Sequence, residues 1–493
     1  MPTSAARTHH QVTFAVLAVG VGAFSLLQSL VTPVLPTIQA ALHTTQSDVT
    51  WVLTSYLLSA AIFTPILGRL GDMRGKKRIF VIALIALAIG SLLAALATSL
   101  PIMIVARVIQ GLGGGVLPLA FGIIRDEFPA EKVGGAVGLI ASLTAIGGGL
   151  GVVLAGPIVA LLDYHWLFWI PLIMIGAAAI AAIALVPESE IPTPGRINWL
   201  AAALMAMAFV ALLVAISEGS DWGWGSVRVI SLIVVAVIVG AIWVLVELRS
   251  DNPLVDMRLM AVRSVWAINI VALLFGAALF SLFAFLPEFL QTPTSTGYGF
   301  GRTITESGLM ILPQSVAMFL MGLVAGRVAR RVGSKSTLVF GAILSVVALL
   351  LLAFVHAHTW EIYLATAITG IGFGLVFAAS SSIIVNAVPR EQTGVASGMN
   401  ANIRSIGGSI GAAMIGSVVT AHLAPTGLPL ESGYTTGFAV LAGVLVVSAI
   451  AGLLIPSVKR TLVRGHRAEP EVALEHAELA LVAGGTVVGD ESE

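Results

Sequence analysis

The chain has 493 residues, of which 58% are apolar and 10% charged, with 25 basic and 25 acidic residues in balance. A soluble domain of this size could not cover its surface with so little charge, and zero net charge leaves no electrostatic footprint for nucleic acid. The absence of cysteine removes disulfides, thiolate catalysis and cysteine metal sites together.

Apolar runs long enough to cross a hydrocarbon core of about 30 Å recur along nearly the whole sequence. The opening "MPTSAARTHH" is short and weakly basic, and the run after it lacks a small-residue cleavage site, so it reads as a retained first span. Breaks at charge clusters and Pro/Gly turns give fourteen spans. They start near Val12, Thr50, Ile79, Pro101, Val133, Trp166, Asn198, Val229, Val265, Ser307, Ser336, Ile362, Gly394 and Thr436. The expected fold class is an all-α polytopic membrane protein.

All but four of the 25 Lys and Arg residues fall in the N-terminal tail, every second loop or the C-terminal tail. Arg228 and Arg302 lie in the intervening loops, and Arg107 and Arg404 lie within spans. The positive-inside rule then places both termini in the cytoplasm of a multi-pass protein of the cell membrane.

In chain order, the first notable stretch follows span two. "GRLGDMRGKKR", from Gly68, crowds six charges and three glycines into one turn. Span four carries Arg107, with Gln110 nearly one turn further on the same face. Span five opens with "PAEKVGGAVGLIASLTAIGGGLG" from Pro129, which aligns with "PREQTGVASGMNANIRSIGGSIG" from Pro389 at the head of span thirteen. The turn after span two has its own echo at a similar offset, "GRVARRVGSKS" from Gly326, with Arg330 at the position of Asp72.

Two six-span halves explain this repetition. The domains expected are a first bundle at 1–190, two inserted spans and a linker at 191–262, a second bundle at 263–458 and a disordered cytoplasmic tail at 459–493. Repeats of this kind belong to secondary transporters, with a substrate site near mid-membrane between the halves. Small residues at i and i+4 or beyond, Gly147, Gly151 and Gly156 in one half and Gly407 and Gly411 in the other, suit close helix packing.

"GRLGDMRGKKR" resembles the loop signature of the major facilitator superfamily, matching at Gly68, Leu70, Asp72, Gly75, Lys77 and Arg78. "RVIQGLGGG" is similar to that superfamily's R-x-x-Q-G motif at Arg107, Gln110 and Gly111. Fourteen spans, "WVLTSYLL" from Trp51 and "GVASGMNANIRSIGGSIG" from Gly394 resemble the drug:proton antiporter branch typified by EmrB and QacA. The resemblance implies two six-helix bundles plus two inserted helices. It also implies export of small amphipathic molecules of drug or antibiotic type, by alternating access and driven by a proton gradient. Gly68, Asp72, Arg74, Gly75 and Lys76 become gating residues in this reading, with the acid making a contact present in only one conformational state.

Two positions depart from the branch. Leu27 stands where an acid often lies in span one, and Val152 stands for a proline in span five. A second reading therefore stays open: a uniporter or antiporter of an anionic or neutral metabolite, with no membrane-buried acid. Arg107, Gln110, Asn400 and Arg404 are the candidates for the substrate or proton pathway, because an arginine inside a span normally faces a polar cavity. Glu288, near the outer end of span nine, is the acid candidate.

The expected partners are a small-molecule substrate, protons and the lipid bilayer, with no nucleic acid, and a monomer is expected. No cofactor beyond the gradient and no metal site is expected. No H-E-x-x-H or G-x-x-x-x-G-K-[ST] occurs, and the histidines lie in tails, loops or at span ends, which argues against an enzyme or an ATP-driven pump.

Overall fold

Burying a backbone in hydrocarbon requires every N–H and C=O to be paired within the segment, so apolar runs of this length become helices. The computed structural model describes residues 4–188, 196–421 and 428–456. The tail expected at 459–493, and the start of the inserted region, lie outside the described residues. The first half comprises α1 (Ser4–Val31), α2 (Gln46–Arg74), α3 (Lys76–Ala95), α4, α5 (Ala130–Leu161) and α6 (Trp166–Leu185). Of these, α4 runs in two pieces, Leu100–Gly111 and Val116–Glu127, joined by a 3-10 turn at Leu112–Gly115. The inserted pair is α7 (Trp199–Ser217) and α8 (Val227–Arg249). The second half comprises α9 (Arg263–Gln291), α10 (Ile304–Val332), α11 (Ser334–Phe354), α12 (Thr359–Ala387), α13 (Thr393–Val419) and α14 (Glu431–Leu453).

Thirteen of these fourteen are apolar and long enough to cross a membrane. The exception, α13, has 27 residues and is long enough, but Asn400, Asn402, Arg404 and its serines dilute its hydropathy. The helix that falls short on apolarity is flanked by helices of both halves. It packs against α9, α12 and α14 of its own half, α2 and α4 of the other, and the inserted α7.

Local signals end and restart the helices. Gly75 joins α2 to α3 with φ +101°, and Gly333 joins α10 to α11 with φ +90°, both in a region that disfavours other residues. These two glycines occupy equivalent places in the repeated turns. Pro129 and Pro389 stand at the heads of the two aligned segments, with Pro129 capping α5 and Pro389 leading through a short 3-10 turn into α13.

The halves meet along two seams that the duplication relates to each other, α2 against α13 and α10 against α5. Glycine brings the backbones together on both. A Cβ on Gly68 would lie 2.6 Å from the Gly394 carbonyl oxygen, and one on Gly326 would lie 2.7 Å from the Gly135 Cα. The inserted α7 covers the α2–α13 seam. Its Ala201, Ala202, Met205 and Phe209 pack with Ile66 of α2 and with Val395 and Met399 of α13.

Candidate gating site between the two halves

The strongest polar contact between the halves lies at the end of the bundle that carries the basic loops. The first N–H groups of a helix have no partner within it and point outward with a partial positive charge. At the start of α13 these groups meet the Asp72 carboxylate from the last turn of α2. Asp72 is 1% exposed and accepts hydrogen bonds from Gly394 N at 3.3 Å and Val395 N at 3.2 Å. The close approach of Gly68 to Gly394 makes this possible, and a Cβ on Gly394 would crowd both Gly68 O at 2.7 Å and the carboxylate at 3.1 Å.

Lys76, one turn after Asp72 across the Gly75 bend, does more than mark topology. Its ammonium is 2.6 Å from Asp126 Oδ2, 3.7 Å from Asp72 Oδ1 and 3.4 Å from the Arg390 carbonyl oxygen of the other half. Its side chain is 2% exposed, and Gly122 of α4 leaves room for its stem. Arg125 of α4 completes the clasp, donating to Thr393 Oγ1 at 2.6 Å and to the Pro389 carbonyl at 3.2 Å. The first half thus offers Asp72, Lys76 and Arg125 to a single segment of the second, Pro389–Val395. Buried charges are tolerable here because each finds an opposite charge or a backbone dipole.

Of the other gating candidates, Arg74 is exposed, and Gly75 lies where a Cβ would collide with the Glu188 carboxylate. Arg330, which takes the place of Asp72 in the repeat, is exposed as well. The two related seams therefore differ chemically: the α2–α13 seam closes on a carboxylate and its equivalent does not.

Two members of this cluster, and one buried acid elsewhere, escaped sequence reading. Arg125 and Asp126 look like topology charges at the end of span four; the adjacent "RD" pair was the available signal. Glu247 of the inserted α8 is 2% exposed and accepts from Trp243 Nε1 at 3.1 Å, Leu254 N at 2.9 Å and Val255 N at 3.1 Å. It ties the linker after α8 back onto the helix.

The pathway candidates separate into two environments. Arg107 is 1% exposed and donates to the Val52 carbonyl at 2.9 Å and to Gln110 Oε1 at 2.7 Å, with its guanidinium 4.6 Å from the Tyr56 ring centre. Gln110 in turn donates to Ser91 Oγ at 3.2 Å. The structure joins Arg107 and Gln110, but inside the first bundle among α2, α3 and α4, with no partner in the second half. Asn400 donates to Asn269 of α9 at 2.9 Å, within the second half. Asn402 crosses the seam to the Ala61 carbonyl of α2 at 2.5 Å. Arg404 is half-buried, with its Cγ against Gly276 of α9 and its guanidinium 4.6 Å from the Phe377 ring centre.

Among the packing candidates, Gly147 and Gly151 abut Ser25 and Ser29 of α1, while Gly156 faces Thr305 of α10. Gly407 and Gly411 lie on Leu273 and Ala277 of α9. Glu288 is exposed in the last turn of α9. Among the described residues, every Asp and Glu sits at or near a helix end or in a loop, and no cluster of three His, Asp or Glu could hold a metal ion.

This geometry can be set beside known proteins. The family model for the Major Facilitator Superfamily matches residues 17–412 and 269–487. The multidrug resistance protein Stp of Mycobacterium tuberculosis is 30% identical over 416 residues, covering 83% of this chain and 76% of that one. The multidrug transporter protein MdtP of Bacillus subtilis is 29% identical over 382 residues, 76% of this chain and 69% of that one. The tetracenomycin C resistance and export protein of Streptomyces glaucescens is 27% identical over 431 residues, 86% of this chain and 78% of that one. Among solved structures, the human organic anion transporter MFSD10 (TETRAN) superposes with a TM-score of 0.66 over 90% of this chain and 99% of that one. At 15% identity that likeness speaks to the fold alone.

Proposed function

The chain belongs to the major facilitator superfamily, and on that premise we propose that it exports small amphipathic molecules across the cell membrane by alternating access, driven by protons. Its basic end faces the cytoplasm in this reading, following the distribution of Lys and Arg. The relatives named for multidrug resistance and tetracenomycin C export support the cargo class.

The observation that carries the reading is the clasp of Asp72, Lys76 and Arg125 on Pro389–Val395. It seals the two halves at one end by contacts that must break if that end is to open. A two-state transporter needs such contacts, because only an interaction that differs between states can bias their populations. In this orientation the structure is closed to the cytoplasm. Opening inward requires α2 and α4 to leave α13, so that the α13 N–H groups lose their carboxylate and Lys76 loses the Arg390 carbonyl.

Proton coupling fits the same place. A proton on Asp72 removes the negative charge that two N–H groups and Lys76 hold, so protonation loosens the seal. Glu288 is the carboxylate on the opposite side of the membrane where a proton enters.

The test uses everted vesicles energised by respiration, with a fluorescent pH probe inside. Addition of the neutral amphiphile phenylnaphthylamine should release protons from vesicles with the native chain and release none with Asp72→Asn. Accumulation that persists after an ionophore collapses the gradient would contradict proton coupling.

A further inference from the structure

We propose that Arg404 is the residue that selects cargo, anchoring the acidic group of a flat aromatic substrate such as a ring-borne carboxylate, sulfonate or phenolate. The proposal rests on the export reading above and names the substrate class of that pathway.

The first ground is position. Arg404 lies about 17 Å along α13 from Thr393, at 1.5 Å per residue, which is near mid-depth. Its helix has α9, α12 and α14 as neighbours within its half, α2 and α4 across the seam, and the inserted α7. The side chain leans between α9 and α12, stem on Gly276 and head on Phe377, and stays partly open.

The second ground is what it lacks. A guanidinium carries five N–H donors and cannot give up its charge. Arg107 satisfies that demand with a carbonyl and an amide, and Lys76 with carboxylates and a carbonyl. Among the described residues, Arg404 has the Phe377 ring beneath it and no hydrogen-bond acceptor or acid at all. Such a charge in a membrane interior is expensive to keep, so it marks a site whose acceptor comes from outside.

The third ground is the wall around it. Phe377 stacks on Phe275 at 6.1 Å, and Phe275 meets Phe373 edge to face at 5.1 Å. One turn outward, Phe280 packs on Gly408 and keeps 36% of its surface open. An aromatic ring laid along Phe280 and Phe377 would bring its acid to the free edge of the guanidinium, where a planar fork suits a planar anion. A lipophilic cation would meet an unopposed positive charge at the same depth.

The rival reading is that Arg404 only braces α9, α12 and α13, which predicts equal damage to every cargo. Accumulation in everted vesicles therefore compares three probes: anilinonaphthalene sulfonate (anionic), phenylnaphthylamine (neutral) and ethidium (cationic). The native chain should accumulate the sulfonate. Arg404→Gln should raise its half-saturating concentration by about tenfold or more while leaving the neutral probe within about twofold, in keeping with loss of a charge-assisted hydrogen bond. Arg404→Lys, which keeps the charge and loses the fork, should fall between.

Retained transport of the neutral probe shows that the variants fold. If Arg404→Gln impairs both probes alike, or neither, the proposal is overturned and export stands. The same holds if the native chain moves the neutral or cationic probe and not the sulfonate. If it moves none of the three, the export reading falls with it.

Discussion

Replacing Asp72 by Asn tests the clasp with the smallest change in shape. The carboxylate accepts two backbone N–H groups of α13 at 3.3 and 3.2 Å. Hydrogen bonds to a charged group contribute about 1.5–3 kcal/mol each, and the amide keeps one neutral bond of about 1 kcal/mol. Its NH2 group faces an N–H it cannot accept from. The net loss is about 2–5 kcal/mol from the sealed state, or about 30- to 4,000-fold in its population relative to the open one.

The chain contains no cysteine, so a single thiol can report opening without background. Ser397 on α13 is 4% exposed beside the seam, and Ser397→Cys should be protected from a hydrophilic maleimide in otherwise native protein. Adding Asp72→Asn should speed labelling by about 30-fold or more. An unchanged labelling rate in a variant that folds and melts like the native protein would refute the reasoning, because the two hydrogen bonds would then hold nothing closed.

Three further outcomes follow from the same geometry. Gly68→Ala places a Cβ 2.6 Å from the Gly394 carbonyl oxygen. It should weaken the seam by about 1–3 kcal/mol, read as faster Ser397→Cys labelling and slower transport. Glu247→Gln gives up one or two of the three bonds to Trp243, Leu254 and Val255. At about 1–3 kcal/mol, the loss should appear as quicker proteolysis of the linker at 250–262, with the rest of the chain intact. Arg107→Gln removes the donors to Val52 and Gln110 and should lower thermal stability and depress transport of all three probes alike, in contrast to Arg404→Gln.

Sequence alone carried the span count and singled out, separately, two segments that meet in the structure, Gly68 with Asp72 and the run from Gly394. Length and apolarity suffice for the first, since a helix is the one way to bury such runs singly. Repetition recovered α13, which a purely apolar criterion passes over because of Asn400, Asn402 and Arg404. The partners of individual charges were not legible. Arg107 and Arg404 look alike as lone arginines in spans, and only helix rotation in the packed bundle gives one a carbonyl and an amide and the other a phenylalanine face. Lys76 sits in a run of basic residues and differs from Arg74 only because the Gly75 turn, at φ +101°, directs it inward toward Asp126. Glu247 needed the return of the linker at Leu254 and Val255, a contact that no periodicity encodes.

Spin labels at Arg74→Cys and Arg390→Cys, two exposed positions on opposite sides of the clasp, test the central claim most directly. Pulsed dipolar spectroscopy in nanodiscs should show a short distance for the sealed state and a second, longer one whose share grows as pH falls or when Asp72→Asn is added. A single short distance under every condition, in protein that still transports, would contradict a clasp that opens during the cycle.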